Sequence, residues 1–118
     1  MPYASVFGRM ERAEFETLVA EALDGIPEEF ARYLENVAVL VEDEPEDEDL
    51  YGLYDGVPLS ERSHDLAAPP DRIIIYCGPL VRDFRSRKAI RRQIRITILH
   101  EIAHFFGLDE RRIRRLGY

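Results

Sequence analysis

The sequence predicts one small domain that combines helices and strands. Two long segments carry apolar residues at helical spacing, one near the start of the chain and one near its end. Between them lie two runs rich in β-branched residues, Val37–Val41 and Arg72–Cys77, which are typical of strands. The chain has 118 residues, the usual size of a single domain with one modest core.

The amino-terminal third is predicted to form two helices that serve packing. From Glu11 to Leu23, apolar residues recur at the i, i+3, i+4, i+7 spacing of an amphipathic helix, and Asp24-Gly25 ends it. Pro27 suits the first turn of a second, short helix, since proline lacks only an amide that would be unpaired there.

Short strands and a long loop are expected in the middle of the chain. Val37–Val41 predicts the first strand, Tyr51–Tyr54 a short one that ends in a turn at Asp55-Gly56, and Arg72–Cys77 a third that Gly78-Pro79 closes. Residues 58–70 have little periodic signal and are expected to form a long loop, of the kind that is often functional in small domains.

Charge is distributed very unevenly. Residues 1–81 hold 5 basic and 19 acidic side chains, whereas residues 82–118 hold 11 basic and 4 acidic ones, which gives the overall net charge of −7. The acidic excess peaks at residues 42–49, where a solvated loop is expected and a calcium site is the alternative. The basic segment 82–95 allows a nucleic-acid-binding alternative, which the acidic total disfavours.

Several classes of protein are disfavoured by simple features. No apolar run approaches the roughly 18 residues of a membrane span, and the first residues lack the pattern of a secretory signal. Cys77 is the only cysteine, so no internal disulfide forms, and it is expected to be a buried small residue rather than a nucleophile. We therefore expect a cytoplasmic protein.

The strongest chemical signal is a pair of histidines four residues apart. A helix is predicted over residues 86–106, and within it His100, Glu101 and His104 form an H-E-x-x-H pattern. Residues four apart lie on the same face of a helix, so both imidazoles can hold one Zn²⁺ ion. Glu101 is then placed to take a proton from a metal-bound water as general base.

Residues after the second histidine suggest a third ligand. Gly107 is expected to end the helix and turn the chain back toward the histidines. In the pattern H-E-x-x-H-x-x-G-x-x-H, the last position is occupied here by Glu110, and a carboxylate is an acceptable zinc ligand. We favour Glu110 by spacing, with Asp109 as the neighbouring alternative.

At the level of whole segments, the chain resembles the minimal zincins, small bacterial zincin-like metallopeptidases. The segments that carry the resemblance are His100–Glu110, Gly52–Arg62, Pro70–Tyr76 and Arg115–Tyr118. The resemblance implies a compact α+β fold, with a small sheet and amino-terminal helices packed on an active-site helix that holds zinc. At Phe105 a polar or aromatic ring such as histidine would be expected, a difference that leaves the ligand set unchanged.

Three further residues are secondary candidates for the site. His64 lies in the 58–70 loop, where it is either a surface residue or a proton donor in a cleft. Tyr54 and Arg62 either pack in ordinary loops or hold a substrate and a developing oxyanion. The Gly52–Tyr54 segment is a candidate edge strand for pairing with an extended peptide.

Three functions from different classes follow from these features. The favoured one is a zinc-dependent peptidase that hydrolyses amide bonds in small peptides or unfolded proteins. The second is a zinc-binding interaction module with little proteolytic activity, or a hydrolase of non-peptide substrates. The third is a nucleic-acid-associated protein that uses the basic segment 82–95. No membrane partner is expected, and the sequence indicates neither the substrate nor an oligomeric state.

Overall fold

The computed structural model describes residues 10–46, 50–56, 71–105 and 110–115. Their helices and strands, in chain order, are α1 (Arg12–Asp24), α2 (Glu28–Ala31), a 3-10 turn (Arg32–Leu34), β1 (Val37–Glu42), β2 (Gly52–Asp55), β3 (Asp71–Tyr76), α3 (Cys77–Asp83), α4 (Arg87–Phe105) and α5 (Glu110–Arg115). The described residues form helices and one small mixed sheet, so the predicted α+β fold is confirmed.

The sheet has the strand order β1-β3-β2. Strand β1 runs parallel to β3, with Val39 opposite Ile73, and β2 runs antiparallel to β3, with Leu53 opposite Ile74. Side chains alternate between the two faces of a sheet, so Ile73 and Ile75 point into the core while Ile74 points to the other face. Strand β2 is an edge strand in the described part of the chain.

Helices α1 and α4 pack together on the inner face of the sheet. The predicted stripe of α1 is buried, and Phe15 and Leu18 have no exposed surface. In α4 the fully buried residues are Ile90, Ile94 and Ile98, which recur every four residues along one side. This packing leaves the opposite side of α4 available for polar residues.

Ion pairs with α1 offset the positive charge at the start of α4. Cations in the first turn of a helix oppose the helix dipole and need partners elsewhere. Arg87 pairs with Glu14, and Arg91 pairs with Glu21 at 3.1 Å. Acidic residues of α1 and basic residues of α4 therefore face each other where the two helices pack.

The residues after β3 differ from the prediction. Cys77 was expected to end the strand and Gly78-Pro79 to close it, but all three lie in the first turn of helix α3. Proline is tolerated there because the first amides of a helix have no partner within it. Cys77 is completely buried, as expected, and its thiol donates to the backbone oxygen of Glu42.

Part of the acidic segment is engaged in ion pairs. Asp43 pairs with Arg12 at 2.9 Å, and Glu44 pairs with Arg82 at 2.7 Å. These acids are exposed, as a solvated loop requires, but they also link β1 to α1 and α3. The predicted loop at residues 58–70 lies outside the described residues. Among the helices that are described, none combines the length and apolar character of a membrane span.

Candidate metal centre

Helix α4 brings three candidate site residues together. His100, Glu101 and His104 each offer a ligand atom, and these atoms lie within 4.8 Å of one another. The two imidazole rings have their centroids 4.9 Å apart, with 43° between their planes. This is the arrangement that a spacing of four residues produces on a helix, because such residues lie one turn apart on the same face.

The three residues differ in their exposure to solvent. Glu101 is buried with 8% of its surface exposed, His100 is half-buried and His104 is exposed. The group therefore lies at the border between the core and the surface. A buried carboxylate next to two accessible imidazoles can reach an ion or a water that approaches from solvent.

Strand β2 fixes the Glu101 carboxylate. The backbone amide of Tyr54 donates a hydrogen bond of 2.8 Å to Glu101 Oε1. A buried carboxylate needs such donors, because leaving a charge unpaired in the interior is costly. Hydrogen bonds to an ionised group are also stronger than neutral ones. One carboxylate oxygen is thus held by the edge strand, which sets the direction of the other.

A glycine allows strand and helix to come this close. A Cβ atom placed on Gly52 would lie 2.5 Å from Thr97 Cγ2, a distance that side chains do not tolerate. Thr97 is itself fixed, since its hydroxyl donates to the Gln93 backbone oxygen at 2.8 Å. Gly52 therefore lets β2 lie directly on α4, two residues before the amide that reaches Glu101.

An open cavity of about 340 Å³ lies between β2 and α4. It is lined by Leu50, Tyr51, Gly52, Gln93, Ile96, Thr97, His100 and Glu101. At its strand side, Tyr51 donates a hydrogen bond to Asp83 at 2.5 Å and its ring contacts Phe84. These contacts fix Tyr51 on the strand side of the cavity, and the imidazole of His100 lines its helix side.

The set of donors fits zinc. Imidazole nitrogens and carboxylate oxygens are regular zinc ligands, and a catalytic site uses three protein ligands with one position left for water. Two histidines supply two of these ligands. The backbone places Glu110 as the first residue of α5, but its side chain lies outside what the structure describes, as does Asp109. The choice between these two acids stays a prediction.

The secondary candidates divide into two groups. His64 and Arg62 lie outside the described residues. The ring of Tyr54 is half-buried against the core, and its backbone amide contacts Glu101. The sequence did not indicate this amide, because every residue except proline carries one. The close approach at Gly52 could have been predicted, because a glycine inside a strand often marks a place where another part of the chain comes close.

Two other predictions can be compared with the structure. Burial raises the pKa of the Cys77 thiol to about 12, with the nearby Asp43 adding to the effect, which agrees with an unreactive structural cysteine.

Arg82, Arg87 and Arg91 of the basic segment form ion pairs with acids of this chain. This pairing removes part of the positive surface that nucleic-acid binding would use.

Comparison with known proteins agrees with this geometry. A search of curated proteins gave no match. The family model described as "Zincin-like metallopeptidase" matches residues 34–118, which include the sheet, α4 and the H-E-x-x-H residues. The match covers well over half of the chain, and the chain therefore belongs to the zincin-like metallopeptidase family.

Proposed function

We propose that this protein is a zinc-dependent peptidase that hydrolyses peptide bonds with Glu101 as general base. The observation that carries the proposal is the position of Glu101. Its carboxylate lies beside the two imidazoles, and one of its oxygens accepts the Tyr54 amide. Membership of the family supports a metallopeptidase-like domain, and the chemistry of these residues supports the reaction.

In this proposal, His100 and His104 hold the ion, and Glu110 or Asp109 completes the ligand set. A bound zinc ion lowers the pKa of its water toward neutrality and polarises a carbonyl. The other oxygen of Glu101 would accept the proton of the water and pass it to the nitrogen of the leaving amine. The Tyr54 amide keeps the carboxylate in one orientation while the proton moves.

An extended peptide is the substrate that the cleft fits best. Strand β2 is an edge strand in the described part of the chain. Apart from the Tyr54 amide, which already donates to Glu101, its outward backbone groups can pair with an added strand through hydrogen bonds. A peptide that pairs along β2 runs above the cavity between β2 and α4, so its backbone passes close to His100 and Glu101. We infer short or unfolded peptides as substrates, because folded proteins do not offer free extended segments.

Replacing Glu101 by Gln tests the mechanism. The variant keeps an oxygen that accepts the Tyr54 amide but has no basic carboxylate, so hydrolysis should fall by roughly 100- to 10,000-fold. Zinc content should stay at the wild-type level. The measurement is cleavage of a mixed peptide library by zinc-loaded protein, followed by mass spectrometry. Glu28→Gln, an exposed residue of α2, serves as the matched control.

Each outcome has a defined meaning. Equal cleavage rates for wild type and Glu101→Gln would exclude Glu101 as the base. Tight zinc binding without any cleavage by the wild-type protein would contradict the peptidase proposal. That result would favour the alternative of a zinc-binding interaction module.

A further inference from the structure

The sheet face opposite α4 carries a second depression, which we call the outer trough. It has a volume of about 420 Å³. Its lining consists of Glu42, Glu44, Pro45, Glu46, Leu50, Leu53, Asp55, Arg72, Ile74 and Tyr76. None of these residues is a candidate zinc ligand or the proposed base, so the trough needs its own explanation.

The outer trough has a recessed apolar floor. Ile74 and Tyr76 of β3 are only 8% and 6% exposed, although they point away from the main core. Leu53, directly opposite Ile74 on β2, is 41% exposed and forms one side. Leu53 therefore provides most of the exposed apolar surface of the trough, above this floor.

Carboxylates surround this apolar floor. Glu44 and Asp55 are engaged by Arg82 and Arg72. Glu42 and Glu46 are exposed and form no ion pair within the described part of the chain. Two acids thus carry uncompensated charge at one rim, which favours a cationic group in the trough.

The Tyr76 hydroxyl lies in the same negative environment. This residue is nine-tenths buried and lines the trough, and its hydroxyl makes no hydrogen bond within the described part of the chain. Burial raises the pKa of Tyr76, and Glu42, Glu46 and Asp55 raise it further. Three carboxylates therefore lie near enough to this phenol to disfavour its ionised form.

Strand β2 separates the outer trough from the metal centre. Leu50, just before β2, lines both the trough and the cavity beside His100. Successive side chains of an extended peptide point to opposite faces of a sheet. A peptide paired along β2 would therefore direct alternate side chains toward the cavity and toward the trough.

We propose that the outer trough binds a lysine or arginine side chain of the peptide, so that basic peptides are the preferred substrates. The aliphatic part of the side chain lies on Leu53, and its charged end points along the trough toward Tyr76 and the acidic rim formed by Glu42 and Glu46. Long basic side chains have this dual character. The identity of the partner as a substrate rests on the proposed peptidase function.

Binding to an inactive protein tests this site apart from catalysis. The experiment uses zinc-loaded Glu101→Gln protein and fluorescein-labelled valine- and threonine-rich peptides that differ only in having one Lys or one Gln. Fluorescence anisotropy at low salt should show binding of the Lys peptide that is at least about fivefold tighter, an effect that weakens with added salt. The wild-type protein should cleave the Lys peptide faster.

Variants of the trough give matched comparisons. Glu42→Gln with Glu46→Gln should abolish the preference for the Lys peptide. Glu28→Gln with Glu35→Gln changes two exposed acids away from the trough by the same charge and should leave the preference intact. Tyr76→Phe should weaken binding of the Lys peptide by roughly two- to tenfold, the effect of one hydrogen bond. Thermal unfolding of each variant confirms that it is folded.

Several results would overturn the inference. Equal affinities for the two peptides would exclude a cationic subsite. Stoichiometric competition by Ca²⁺ would assign the trough to a metal ion, and dimerisation that is lost with Glu42→Gln and Glu46→Gln would assign it to a second copy of the chain. Cleavage of both peptides at equal rates leaves the peptidase proposal standing while this inference fails. If the Lys peptide binds selectively but the wild type cleaves neither peptide, the cationic subsite is supported and the peptidase proposal fails.

Discussion

At the scale of single residues, the contact between Gly52 and Thr97 places the proposed base. Gly52 has no side chain, so β2 approaches α4 closely enough for the Tyr54 amide to reach Glu101. The H-E-x-x-H pattern made Glu101 recognisable in the sequence, because its spacing on a helix is fixed. The amide that orients Glu101 was not recognisable, since it comes from a strand 47 residues away along the chain.

Replacing Gly52 by Ala tests this packing. The added methyl group would meet Thr97 Cγ2 and the Ile74 backbone oxygen, so the free energy of unfolding should fall by about 1–3 kcal/mol. Chemical denaturation measures this change. The double variant Gly52→Ala with Thr97→Ser removes the opposing methyl group and should recover most of the loss. If the double variant is no more stable than Gly52→Ala, the close approach of Gly52 to Thr97 is not the cause of the lost stability.

Cys77 gives a prediction about pH. Burial raises the pKa of this thiol to about 12, so the folded state disfavours the thiolate. The neutral thiol of Cys77 contributes fully to the free energy of unfolding below about pH 8.5, the pKa of a cysteine thiol in the unfolded chain. This contribution is lost as pH rises toward 12. Between pH 7 and pH 10, the wild type should lose more unfolding free energy than Cys77→Ala does. Identical losses in denaturation experiments would contradict the assigned pKa.

At the scale of elements, strong periodicity predicted what weak local signals could not. Helices α1 and α4 were recognisable because their buried stripes repeat over several turns. Helix α3 was not, because a seven-residue helix that contains Gly78 and Pro79 has the composition of a turn. Its buried position comes from packing against α4 and the sheet, which no local pattern records.

The pairing of α1 with α4 predicts small, salt-dependent effects. Glu14→Gln and Glu21→Gln each remove an exposed partner of an arginine in α4, so each should lower the free energy of unfolding by about 0.2–1 kcal/mol. At 1 M NaCl the difference should nearly vanish. Glu28→Gln removes the same charge from α2, and Glu28 forms no ion pair with another described residue. An equal loss in that control would point to net charge rather than to pairing.

At the scale of the whole molecule, the two faces of the sheet have different surroundings among the described residues. The inner face and α1 bury one side of α4, which leaves His100 on the side near β2. The outer face carries the trough beside the same edge strand. The sequence predicted the helix, the edge strand and the metal motif. It could not predict the trough, because β1, β2 and β3 contribute to it from distant parts of the chain.

Zinc affinity of histidine variants, measured by competition with a coloured chelator, tests the central claim most directly. The wild type should bind one zinc ion per chain, and His104→Ala should bind it at least about 100-fold more weakly. That loss is larger than the one expected when a residue that only hydrogen-bonds to a zinc ligand is removed. His64→Ala, which removes the one histidine outside the motif, should bind zinc like the wild type. Glu110→Gln and Asp109→Asn in the same titration identify the third ligand. Unchanged zinc affinity in His104→Ala would contradict the account, since the helical histidine pair would then not hold the metal.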